Sequence, residues 1–97
     1  MKQNNKAMNK VYVQNPLIVL RKESDDWAVL YNPDDGNALG INPTGIDIWE
    51  KINGSNSIKD IIKEIKQEYE GVSPDIVNEI ESFMDKLSSN DFIILKQ

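Results

Sequence analysis

The chain has 97 residues, a formal net charge of −5, and neither cysteine nor histidine. That length supports one domain with one small core. The missing residue types exclude disulfides and thiolate catalysis, and they remove the commonest general base and the commonest zinc ligand. We therefore expect a protein that is not an enzyme and that holds no metal or other cofactor.

Charge and hydropathy argue against two classes of partner. Lysines are interleaved with acids, as at Lys59-Asp60 and Lys63-Glu64, so no basic face is expected to bind nucleic acid. Apolar runs reach only about five residues, whereas a membrane-spanning helix needs roughly 20. The polar N-terminus also lacks the apolar segment of a secretory signal. We expect a cytoplasmic protein that binds neither nucleic acid nor a membrane.

Strand-like segments follow a polar beginning. Residues 1–10 lack periodic apolar positions, which predicts a flexible N-terminal arm before a single domain at residues 11–97. Branched and aromatic segments between turn formers then predict strands. These segments are Leu17–Lys22, Trp27–Tyr31 and Ala38–Ile41, with Val11–Val13 as a further short extended piece. Because two successive hairpins place the second strand in the middle, Ala38–Ile41 is expected at the edge of a three-stranded antiparallel sheet.

Three amphipathic helices are predicted after this sheet, which gives an α+β class. Each helix has residues that favour its start. These are Asn42 or Thr44 for the first helix, Ser57 with Asp60 for the second, and Ser73-Pro74-Asp75 for the third. The first two helices are expected to end at Asn53-Gly54 and at Gly71. The apolar segment Phe92–Leu95 is expected to pack against the helices as a short strand or extended wing.

Three aromatic residues are predicted to lie in the core. Trp27 and Trp49 stand beside branched aliphatic residues in regular elements, which favours burial over a role as stacking platforms. Phe83 falls within the apolar stripe of the third helix, taking about 100° per residue. One margin of that stripe is formed by Val77 and Met84, with Glu81 and Ser88 just beyond it. We expect Met84 to be the residue that leaves the core and adapts to an apolar ligand.

An edge strand beside an amphipathic helix can bind an extended peptide. The edge offers unpaired backbone donors and acceptors, and the peptide can add to it as another strand while its side chains enter the adjacent groove. Gly40 has two readings here: it allows close approach of a second backbone, or it bends the chain into Asn42-Pro43. The sequence leaves both readings open.

The order and spacing of several motifs resemble PqqD-like proteins. The resemblance runs from about Leu17 to Leu95, and its motifs are Trp27–Pro33, Gly40–Glu50, Asn53-Gly54, Ser57–Ile61 and Phe83–Leu87. It implies a three-stranded sheet joined to three helices in a winged-helix-like bundle. It also implies that the third strand and the third helix bind the leader of a ribosomally synthesised precursor peptide by strand addition. A partner enzyme, often a radical-SAM enzyme, would then modify the peptide.

The resemblance places a peptide-binding site on two elements. Its residues are Ala38, Leu39, Gly40, Ile41 and Asn42 of the strand, and Val77, Ile80, Glu81, Met84 and Ser88 of the helix. Asp91 departs from the pattern, because relatives often have glycine in that turn. The alternative is a winged-helix-like structural or regulatory protein-interaction subunit without leader recognition. The sequence allows either a monomer or a dimer formed by exchange of the edge element.

Overall fold

The computed structural model describes residues 7–96, which form three α-helices, six strands and one short 3-10 helix. The strands are β1 (Val11–Gln14), β2 (Val19–Ser24), β3 (Trp27–Tyr31), β4 (Ala38–Ile41), β5 (Asn53–Ser57) and β6 (Ile93–Leu95). The helices are α1 (Pro43–Lys51), α2 (Ile58–Glu68) and α3 (Ile76–Ser89), and the 3-10 helix is Ala7–Asn9. The predicted α+β class is confirmed. Residues 1–6 of the predicted arm lie outside the described residues.

The six strands form two antiparallel sheets of three strands each. One sheet has the order β2-β3-β4, as the two hairpins predict, with β3 in the centre. The other has the order β5-β1-β6, so the chain has a second sheet that the sequence did not predict. Val13 opposes Asn53 on β5 and Ile94 on β6. The brief extended piece at the start of the chain is therefore a central strand.

The helix starts largely follow the predicted caps. The Asn42 side chain accepts a hydrogen bond from the Gly45 N–H (2.8 Å). At α2, Ser57 Oγ accepts from the Asp60 N–H (3.1 Å), and the Asp60 carboxylate accepts from the Ser57 N–H (2.9 Å). This reciprocal pair is a capping box. None of the helices in residues 7–96 has the length and apolar content needed to span a bilayer.

The core lies between the helices and the inner faces of both sheets. Trp49 is 4% exposed, so its predicted burial is confirmed. Trp27 is 48% exposed, and its predicted burial is wrong. The reason is the alternation of side chains along β3: Ala28 and Leu30 are fully buried, so their neighbours point to the outer face. The small Ala28 therefore faces the core, and the large Trp27 beside it faces outward.

The end of α3 is closed by a left-handed turn at Asp91. This residue has φ of +60°. The Asp91 N–H donates to the Ser88 carbonyl (3.0 Å), and the Phe92 N–H donates to the Leu87 carbonyl (2.9 Å). These two bonds form a Schellman motif, in which glycine usually takes the left-handed position. The turn therefore keeps the glycine conformation with an aspartate in it.

Asp91→Gly is expected to stabilise the protein by about 0.5 to 1 kcal/mol. The substitution removes the steric conflict of a side chain in the left-handed region, which exceeds the entropy that glycine adds to the unfolded chain. Urea unfolding monitored by circular dichroism would measure the change. Asp91→Ala is the matched control and should destabilise, because alanine tolerates this conformation less well than aspartate. A destabilised Asp91→Gly variant would contradict the prediction.

Candidate functional site

The outer edge of β4 is unpaired in its sheet. The carbonyl of Asn37 accepts a hydrogen bond from the amide that follows β3 (2.9 Å). Hydrogen-bonded and non-bonded pairs alternate along an antiparallel ladder. The backbone groups of Leu39 and Ile41 therefore point toward β3, and those of Ala38 and Gly40 point toward the open edge. Two residues thus offer free N–H and C=O groups to an added strand.

A groove of about 560 Å³ lies beside this edge, between β4, the start of α1, the end of α2 and α3. Its apolar lining consists of Trp27, Leu39, Ile41, Ile48, Ile65, Val72, Ile76, Ile80 and Phe83. Glu70, Glu79 and Lys86 also line it and are exposed to solvent. The groove therefore has an apolar floor and a charged rim, which suits an extended peptide with apolar side chains.

One side-chain contact joins the residue before β4 to the end of α3. The Asn37 side chain donates a hydrogen bond to the Asn90 side chain at the end of α3 (2.9 Å). At the start of α1, a Cβ at Gly45 would lie 3.0 Å from the Ile41 Cβ and 3.5 Å from the Phe83 ring. A glycine at this position therefore leaves room for the Ile41 side chain at the end of β4.

Polar contacts join α1 to the end of α2, where Tyr69 lines the groove. The Tyr69 hydroxyl donates a short hydrogen bond to the Asp47 carboxylate. This bond raises the pKa of Tyr69 above its usual value, since losing the proton would remove the bond and place two negative charges together. Lys51 pairs with Glu68 (2.9 Å), and that hydrogen bond raises the pKa of Lys51. In residues 7–96 no acidic cluster is arranged to hold a metal ion.

Five of the ten predicted site residues line the groove. They are Leu39, Gly40, Ile41, Asn42 and Ile80. Ala38 lies at the open edge beside them. Val77, Glu81, Met84 and Ser88 do not line it, and Met84 is 2% exposed in the core. The expected exposure of Met84 is therefore wrong.

The groove uses the other margin of α3. The residues of this margin that line the groove are Ile76, Glu79, Phe83 and Lys86. Phe83 is half-buried there instead of fully buried in the core. At about 100° per residue, Glu79 and Lys86 flank the apolar stripe on the side opposite to Glu81. Both margins look alike in the sequence. The packing of α3 against α2 and β6 decides which of them faces β4.

Trp27 is the functional candidate that sequence reasoning placed in the core. Its indole lies across Gly40 on the outer face of the sheet, where a Cβ would overlap ring atoms Cη2 and Cζ2. Gly40 therefore makes room for an aromatic ring, a role that neither reading of this glycine included. The missing Cβ brings the ring to the open edge of β4.

Known proteins resemble the chain in sequence and in structure. The sequence profile of coenzyme PQQ synthesis protein D (PqqD) matches residues 28–93. A solved structure described as TbiB1 in complex with the TbiA(beta) leader peptide superposes with a TM-score of 0.66 and 21% identity. The superposition covers 84% of this chain and 93% of that one. No curated protein sequence matches the chain.

Proposed function

We propose a function for this chain, which belongs to the PqqD family. The protein binds the leader segment of a ribosomally synthesised precursor peptide and presents it to a modifying enzyme. The observation that carries this proposal is the open edge of β4 beside an apolar groove. The superposed TbiB1 structure contains a leader peptide, which supports the same class of ligand here.

The leader adds to β4 as a further strand of the sheet. Its backbone bonds to the outward N–H and C=O groups of Ala38 and Gly40, and alternate side chains enter the groove toward Leu39 and Phe83. Backbone bonds supply affinity for any extended segment, whereas the apolar floor selects the side chains. Rim charges such as Lys86 contribute to the rate of association and to its salt dependence.

The protein acts as a binding partner and not as a catalyst. The groove rim offers carboxylates, a lysine and hydroxyl groups without the nucleophile and base pair that acyl or group transfer requires. The modifying enzyme, with radical-SAM enzymes among the candidates, supplies the chemistry in the cytoplasm. We include in the proposal a winged-helix-like arrangement of the three helices, and a monomer unless β4 is exchanged between two copies.

A proline at the open edge tests strand addition. Ala38→Pro removes one outward donor while leaving the bonds between β3 and β4 intact. We prefer it to Gly40→Pro, because a proline ring at Gly40 would also displace the Trp27 indole. The probe is a displayed library of random peptides about ten residues long, which covers a typical strand and its flanks. We expect enriched peptides to bind Ala38→Pro at least about tenfold more weakly in calorimetric titration.

Ala38→Thr is the matched control, since it keeps the donor and should bind within about twofold of the parent protein. Amide exchange should show protection of Ala38 and Gly40 when an enriched peptide is bound. Equal binding by Ala38→Pro and the parent, or protection confined to α2, would contradict strand addition. The same result would favour the alternative of an interaction subunit without leader recognition.

A further inference from the structure

The outer face of the sheet carries an exposed aromatic ring beside the proposed binding edge. The Trp27 indole is 48% exposed and crosses from β3 over Gly40 on β4. Neighbouring strands lie about 4.8 Å apart, so an added strand would lie one strand spacing beyond the ring-covered residue. A side chain of that strand can therefore reach the indole face.

The register of strand addition fixes which peptide side chain meets this ring. Residues paired across a ladder point to the same face of the sheet. Leu39 and Ile41 pair with the buried Leu30 and Ala28 and share their inner face. Gly40 pairs with Val29 on the outer face, and the Trp27 ring lies over it there, at the mouth of the groove. The peptide residue paired with Gly40 therefore points to the indole, and its two neighbours point toward α3. This holds for either direction of the peptide.

Two exposed carboxylates next to Trp27 in the chain favour a basic side chain at that position. Asp25 and Asp26 directly precede Trp27 and are exposed, and none of the ion pairs found in residues 7–96 involves them. A cation over an indole face is attracted by the ring quadrupole, most strongly for tryptophan. The same face already shows this geometry, because the Arg21 guanidinium lies 5.8 Å from the centre of the Tyr31 ring.

We propose that Trp27 determines specificity by binding a basic side chain, arginine above all, at the peptide position paired with Gly40. The inference rests on the proposed leader-binding function. Guanidinium groups stack on flat aromatic faces, and the aliphatic stem of arginine packs on apolar surface. The leader segment would accordingly show the pattern apolar, basic, apolar, with the apolar residues in the groove.

Two substitutions distinguish the contribution of the Trp27 ring to binding from that of the β4 backbone edge. Trp27→Ala removes the indole, and Gly40→Ala displaces it while keeping the outward N–H of residue 40. For an enriched peptide with arginine at the central position, each variant should lower affinity by about fivefold to tenfold. Trp27→Phe should fall between Trp27→Ala and the parent. For the same peptide with alanine at that position, the affinities of the two variants should differ from that of the parent by less than about twofold.

A double-mutant cycle and fluorescence complete the test. In the Trp27→Ala background, Gly40→Ala should have no further effect, because its effect acts through the ring. The emission of the parent should change when the arginine peptide binds and should not change in Trp27→Phe, since Trp49 is buried and does not line the groove. Tight peptides that show no preference for arginine over alanine, with unchanged affinity in Trp27→Ala, would overturn this inference alone. Failure of Ala38→Pro to weaken any peptide would instead overturn the proposed function.

Discussion

Trp49→Ala is expected to lower the free energy of unfolding by about 3 to 5 kcal/mol. The side chain is 4% exposed and packs within the core cluster, so its removal leaves a cavity that rigid neighbours fill only in part. Its backbone carbonyl accepts a hydrogen bond from Gln14 of β1 (2.8 Å), which anchors α1 to the second sheet. A loss of this size approaches the whole stability of a typical domain.

Trp27→Ala provides the matched control, because it deletes the same side chain from an exposed position. It should change stability by less than about 1 kcal/mol, since Trp27 is 48% exposed. Both variants can be compared with the parent in urea unfolding followed by circular dichroism. Equal midpoints for Trp49→Ala and Trp27→Ala would show that the core assignment is wrong.

Phe92→Ala is expected to cost a similar amount, about 3 to 5 kcal/mol. The ring is fully buried, and its N–H closes the Schellman motif after α3. The Phe92 carbonyl also accepts a hydrogen bond from the Asn15 N–H (2.9 Å). One residue thus joins the end of α3 to the segment that follows β1, and thermal unfolding should show its loss clearly.

Phe83→Ala serves as the matched control for Phe92→Ala. The sequence placed this ring in the core, but it is half-buried and lines the groove, so we expect a loss of only about 1 to 2 kcal/mol. Its main effect should be weaker binding of enriched peptides. A loss at Phe83 as large as that at Phe92 would show that this ring belongs to the core.

The elements with strong local signals could be predicted from the sequence. The hairpin sheet, the capping box at Ser57 and the apolar end at Phe92 follow from turn formers, caps and hydrophobicity. Strand β5 could not be predicted, because its residues Asn53–Ser57 are polar and serve locally as a helix end and a helix cap. They form a strand only because β1 lies beside them, and pairing between distant segments overrides local preference.

The candidate site was predicted in outline and missed in detail for a related reason. The segment Trp27–Tyr31 is apolar at every position, so its pattern does not show which side chains face inward. The stripe of α3 likewise has two margins of similar composition. In both elements the sequence defines a periodicity, but only tertiary packing selects the face that turns toward the core. In α3 this packing places Met84 in the core and Phe83 at the groove.

The pairing of β1 with β6 has a consequence for the order of folding. Strands β2, β3 and β4 are joined by short turns, whereas Val13 must find Ile94 from almost the other end of the described chain. Contacts between distant segments form more slowly, because closing a long loop costs more entropy. During synthesis, the open β4 edge can therefore form before α3 is fixed beside it. Loss of β6 would remove one of the elements that α3 packs against, and would therefore weaken the helical wall beside the β4 edge although no residue of β6 lines the groove.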